Sequence, residues 1–154
     1  MAQTIPAPFA DFHPDPENPG WLVRPPDSQG WFFDLFGLIR MKAESDDRVR
    51  IRFYPEDRHR NILEGVHGGF IMAVVDQILF LAPAALEIEN SLGGSTVDAS
   101  VQFIAPLRTG RPMDAVVEIL RVTGRMIFMR GLIEQDDVTA AAFSGTIRKA
   151  SRPR

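Results

Sequence analysis

The chain has 154 residues, enough for one domain with a sizeable core and little room for a second. With 45% hydrophobic and 24% charged residues it has the composition of an ordinary globular protein. A net charge of −3 excludes a general nucleic-acid binder, which needs a basic field to meet phosphates, and zero cysteines exclude disulfide scaffolds, thiolate nucleophiles, zinc ribbons and iron–sulfur proteins.

Seven of the 12 prolines fall before residue 30. Residues 1–30 therefore read as an extended arm with few regular backbone donors. Phe9, Phe12, Trp21 and Leu22 are too apolar for a plain linker, and the half of the arm around Trp21 is expected to lie against the domain. The first Lys or Arg is Arg24, with no apolar run before it, so no secretory signal is expected and a cytoplasmic location is the default.

Residues 31–149 carry the readable periodicity and form the expected domain. Trp31, Phe32, Leu35 and Phe36 suggest a short amphipathic turn ending at Gly37. Strands are expected over 38–43 and 49–54; in the second, Val49, Ile51 and Phe53 alternate with Arg48, Arg50 and Arg52. A polar loop over 55–64 leads into a long apolar helix that starts near Gly68 and runs to about Glu89, with Pro83 shortening or kinking it. Residues 70–86 are apolar enough to suggest a membrane span, but Asp76, Gln77 and Pro83 favour a buried core helix, and no membrane partner is expected.

Four strand-like runs follow Gly93 and Gly94. The first alternates through Val97, Ala99, Val101 and Phe103. The second, through Val116, Ile119 and Leu120, is less regular. The third alternates through Ile127, Met129, Gly131 and Ile133, and the fourth through Ala141, Phe143, Gly145 and Ile147. Hairpin turns are expected at 123–125 and 135–137. A basic tail, 150–154, is expected in solvent. The order implies an α+β fold, with one antiparallel sheet curled around a single central hydrophobic helix. Such a sheet covers only part of that helix, so pairing with a second copy is expected.

Motifs for a nucleophile elbow, a phosphate-binding loop, a zinc protease and a dinucleotide fold are all absent. The histidines are His13, His59 and His67; the last two lie eight apart across a glycine-containing loop with no carboxylate at ligand spacing, and no metal or cofactor is expected. Gly68 and Gly69 at a helix start leave free N–H groups at the positive end of the dipole. That suits a carbonyl oxygen or an oxyanion, and it also suits a plain tight turn. Asp76 has only Met72, Ala73, Leu79 and Phe80 at helical spacing. It is either a functional carboxylate or a buried one bonded to loop amides or an arginine. His67 and Asp76 are nine residues apart, about 13 Å along a helix and on roughly opposite sides. If both act on one carbonyl, they must come from two subunits.

The series Asn61-x5-His67-Gly68-Gly69-x6-Asp76, followed by Ser95-Thr96-Val97-Asp98 and Phe103-x2-Pro106, resembles the PaaI-like branch of hotdog-fold acyl-CoA thioesterases over residues 31–149. The resemblance implies a homodimer or homotetramer that hydrolyses acyl-CoA at its subunit interface. The Gly68 amide would polarise the thioester carbonyl, with His67 and Asn61 orienting substrate or water and Gly69 beside them. Asp76 of the partner chain would be general base or nucleophile, with Thr96 near it and the water. Arg108, Arg121 and Arg125 are candidates for the CoA phosphates. Some of Phe70, Val74, Phe80 and Leu81 would line an acyl pocket or serve equally as core. The alternatives are a non-catalytic module that binds acyl-CoA or acyl-carrier protein, and a hotdog dehydratase or hydratase.

Overall fold

Val49, Ile51 and Phe53 are fully buried, each worth about 1.5–3 kcal/mol relative to exposure. Their strand, β4 (Arg48–Phe53), pairs antiparallel with β3 (Ile39–Ala43) on one side and β6 (Met113–Val122) on the other. The computed structural model describes residues 11–26 and 30–151. Phe9, the first prolines and Arg152–Pro153–Arg154 of the basic tail lie outside them.

The other strands build outward from these three. β1 (His13–Pro14) and β2 (Leu22–Arg24) extend the sheet past β3, and a 3-10 turn over Phe32–Phe36 ends at Gly37 with φ 62°. β7 (Met126–Gln135), β8 (Val138–Arg148) and β5 (Ser95–Phe103) continue it on the other side. The spatial order is β1-β2-β3-β4-β6-β7-β8-β5, antiparallel throughout. Asp136 and Asp137, both with positive φ, make the two-residue turn between β7 and β8.

The central helix, α1 (Gly68–Ala85), packs against β3, β4, β5, β6 and β8. Val74, Val75, Ile78, Leu79 and Leu81 are fully buried. α1 is apolar and long enough to cross a membrane, but half of it is buried inside the sheet. Close approach is made by glycine: a Cβ on Gly145 would stand 2.6 Å from both Leu79 methyls. The stripe Gly69, Met72, Ala73, Asp76 and Phe80, recurring at helical spacing, is the side that one chain leaves at least partly open.

Two elements depart from the expectation. The helix stops at Ala85 rather than near Glu89, because Glu87 turns to φ 54°. The Glu87 and Ile88 amides then bond back to the carbonyls of Ala84 and Pro83, a Schellman ending. On β5 the alternation is broken by a register shift between Thr96 and Asp98. Thr96, Ala99, Val101 and Phe103 pair with Ile147, Gly145, Phe143 and Ala141, whose side is buried. Val97 sits in the bulge, 57% exposed, instead of in the core.

The arm adds a polar brace on the sheet's other side. Arg40 Nε donates to Asp15 at 2.6 Å and its Nη1 to the Tyr54 hydroxyl at 2.6 Å. That bond to Arg40 holds the Asp15 carboxyl down at about 2. The Trp21 ring lies under Lys42 and Arg52 at cation–π distances of 4.9 and 5.1 Å. Arg52 and Arg50 both grip Asp114. Burial alone would raise the Asp114 carboxyl, yet those two cations hold it below the ordinary range.

Candidate active site

The start of α1 is built by its cap. His67 is the N-cap residue, in an extended conformation, and its Nδ1 accepts the Gly69 N–H at 2.9 Å. In accepting at Nδ1, the ring carries its proton on Nε2. The next two amides, of Phe70 and Ile71, close on the His67 carbonyl. Gly68 N–H, one position ahead of these three amides, meets no acceptor among the described residues. Of the two glycine amides read from the sequence, Gly69 is thus used in the cap and Gly68 is the free donor.

The loop before it is held by Asn61, whose Oδ1 accepts the amides of Leu63 at 2.8 Å and Gly65 at 3.1 Å. Its backbone N–H bonds to Gly65 O, and Val66 N–H bonds to Leu107 O. Glu64 adopts φ 64° to close this turn. Asn61 and Gly68 share a cleft of about 310 Å³ with Val66, Ile71, Phe103 and Leu107. The Phe103 ring lies 3.5 Å from where a Cβ on Gly68 would be. Ile62 and Leu63, in the same turn, are 99% and 84% exposed.

Asp76 is neither fully buried nor unpaired. It is part-exposed on the open stripe of α1, and the Thr96 hydroxyl donates to its Oδ1 at 2.6 Å. The bulge on β5 turns Thr96 toward the helix, so the carboxylate meets the hydroxyl that the resemblance set beside it, and not the loop amides or arginine of the buried alternative. Thr96 and Phe103 are seven residues apart on that strand, about 23 Å. Within one chain the pair Asp76–Thr96 and the pair Gly68–Phe103 therefore stand apart.

The three candidate arginines do not converge within one chain. Arg125 lines a cleft of about 610 Å³ with Glu89, Asn90, Gly124, Arg148 and Lys149. Arg148 pairs with Ser95, next to Thr96, so this cationic cleft lies on the Asp76 side. Arg121 is exposed beside a bulge near the end of β6 and does not line that cleft. Arg108 is exposed, and its backbone bridges to Gly65 on the Gly68 side.

Sequence reading missed Arg148 and Lys149, which stood in or next to the tail; the run Ala141 to Ile147 was the signal that a strand reaches them. Phe70, Val74 and Leu81 take the core alternative, closed inside the sheet. Phe80 is part-buried four residues after Asp76, lining neither cleft.

Residues 63–142 match the model of the thioesterase superfamily, and the chain belongs to that family. Its hotdog architecture is shared by solved structures. It is similar to zebra fish thioesterase superfamily member 2 at 18% identity and TM-score 0.67, covering 80% of this chain and 89% of that one. It is similar to the Escherichia coli PaaI protein from the phenylacetic acid degradation operon at 15% and 0.62, covering 72% and 82%. A hypothetical thioesterase of Streptococcus pneumoniae, solved with coenzyme A, matches at 16% and 0.64, covering 75% and 88%. No curated protein matches.

Proposed function

We propose that the protein hydrolyses acyl-CoA thioesters in a site completed by two subunits. The observation that carries this reading is the layout of β5. It is an edge strand, exposed along almost its whole length, with Thr96–Asp76 at one end and Phe103–Gly68 at the other. Antiparallel pairing of two β5 strands about a dyad near residues 99 and 100 would bring the Thr96 end of one chain beside the Phe103 end of the other. It would also cover the exposed side chains of Val97 and Met72.

In this reading the thioester carbonyl accepts the free Gly68 N–H, at the positive end of α1, and that contact strengthens as the oxygen gains charge. The Asn61 amide group and His67 Nε2 line the approach. Asp76 of the partner subunit takes a proton from water through Oδ2, since Oδ1 already accepts from Thr96. The resulting hydroxide adds to the carbonyl carbon. The tetrahedral intermediate then collapses, the C–S bond breaks, and CoA leaves as a thiolate that takes up a proton. The phosphates of CoA suit the cleft of Arg125, Arg148 and Lys149 on the Asp76 side, and the apolar cleft beside Gly68 suits the acyl portion.

Thiol release from aromatic and straight-chain acyl-CoAs, by wild type and Asp76→Asn side by side, tests the reaction. Turnover that collapses in the variant supports it. Acyl-CoA binding with no thiol release in either protein would instead favour a non-catalytic acyl-CoA module.

A further inference from the structure

His59 lies in what the sequence marks as a polar loop, yet it is only 3% exposed. Both of its ring nitrogens are used. Nδ1 accepts the Glu56 N–H at 2.8 Å, which leaves the proton on Nε2 for the Leu35 carbonyl, also at 2.8 Å. The ring stacks on Phe70 with centroids 3.8 Å apart and planes 12° from parallel. Its own carbonyl accepts the His67 N–H at 2.7 Å. One residue therefore grips the chain at 67 through its backbone and at 70 through its ring, on either side of Gly68 and Gly69.

We infer that His59 is a positioning residue for the Gly68 amide. The inference rests on the proposed role of that amide as the carbonyl's donor. The His59 ring does not line the cleft, so it acts only through His67 and Phe70. Its hydrogen bonds tie the Phe32–Phe36 turn and the Asp57–His59 turn to the same ring, so three segments converge on the first turn of α1. A donor that must meet an oxygen within a few tenths of an ångström needs such support, because a displacement of 1 Å costs about a hundredfold in rate. Burial, with the nearby charge of Arg58, pushes the ring below the usual histidine range, so the accepting Nδ1 stays available at neutral pH.

The test compares wild type, His59→Phe and His59→Gln by backbone amide NMR and by acyl-CoA kinetics. Phe retains a ring against Phe70 but loses both hydrogen bonds, whereas Gln offers a donor again for Leu35. In His59→Phe the amides of His67, Gly68 and Gly69 should shift while those of β6 to β8 stay in place. Its kcat per folded molecule should fall about tenfold or more with KM within about twofold, and His59→Gln should recover part of the loss. Unchanged amides at 67–69 would overturn the inference. So would a general shift of all resonances with kcat per folded molecule intact. Absence of thiol release by wild type would defeat the hydrolase reading instead, and the amide shifts would still decide the role of His59.

Discussion

Thr96 donates its hydroxyl to Asp76 Oδ1 at 2.6 Å, linking an edge strand to the middle of the central helix. Simple alternation would group Val97 with Ala99, Val101 and Phe103 and turn Thr96 the other way. The bulge between Thr96 and Asp98 reverses that, putting a hydroxyl where a valine side chain would otherwise face the carboxylate. One oxygen of Asp76 is thereby fixed, and in the proposed reaction the other takes the proton from water.

Thr96→Val should therefore lower kcat by about ten- to a hundredfold, the worth of a hydrogen bond to a charged group. Thr96→Ser, which keeps the hydroxyl, should stay close to wild type. Asp76→Asn should lose more, about 10² to 10⁴-fold. Steady-state thiol release by the three variants checks the order.

Arg125 and Lys149 share the cationic cleft near Thr96. Arg125→Ala and Lys149→Ala should each raise KM for acyl-CoA severalfold with little change in kcat, and the effect should shrink at high salt. A truncated acyl-pantetheine substrate without the nucleotide should show no such loss. An unchanged KM for acyl-CoA would remove the cleft from the CoA site.

Much of this fold is legible in the sequence, and the reasons are local. β4 shows its faces because Val49, Ile51 and Phe53 are large and Arg48, Arg50 and Arg52 are charged. The irregular run through Val116, Ile119 and Leu120 reflects a real bulge between Ile119 and Arg121. The bulge at Val97 was hidden, since the residues around it still alternate on paper. His59 was hidden too: its neighbours are polar, and its burial comes from Leu35 and Phe70, 24 and 11 positions away. Gly68 and Asp76 stood out as unusual, but the partners that separate their roles, His67 Nδ1 and Thr96 Oγ1, depend on tertiary geometry.

Glu87 occupies the left-handed position that ends α1, at φ 54° and exposed to solvent. A non-glycine residue there costs roughly 1–2 kcal/mol, part of which a glycine loses again through the freedom of the unfolded chain. Glu87→Gly should therefore raise stability by about 0.5–1 kcal/mol, seen as a higher midpoint in urea unfolding with unchanged slope. A lower midpoint would contradict the strain.

Asp15 ties the arm to β3 through Arg40, and its carboxyl falls from the ordinary 3.8 to about 2. A depressed carboxylate contributes stability that is present above pH 3.8 and lost as pH falls through about 2. Asp15→Asn should melt below wild type at neutral pH, with the difference closing as pH drops from 4 toward 2. A gap in melting temperature that is independent of pH would exclude this linkage.

The shared site is tested most directly by mixing two inactive variants. Gly68→Pro removes the free N–H while keeping the fold. Proline is favoured at the first helical position, and the extended His67 before it is compatible with a following proline. Alone, it should lose about 10² to 10³-fold in kcat. Its chains still carry Asp76, and those of Asp76→Asn still carry Gly68. After subunit exchange in an equal mixture, half the dimers are mixed and each holds one intact site, so about a quarter of wild-type turnover should return. No recovery, with mixed dimers verified by mass, would place Gly68 and Asp76 of one site in the same chain or outside the chemistry altogether.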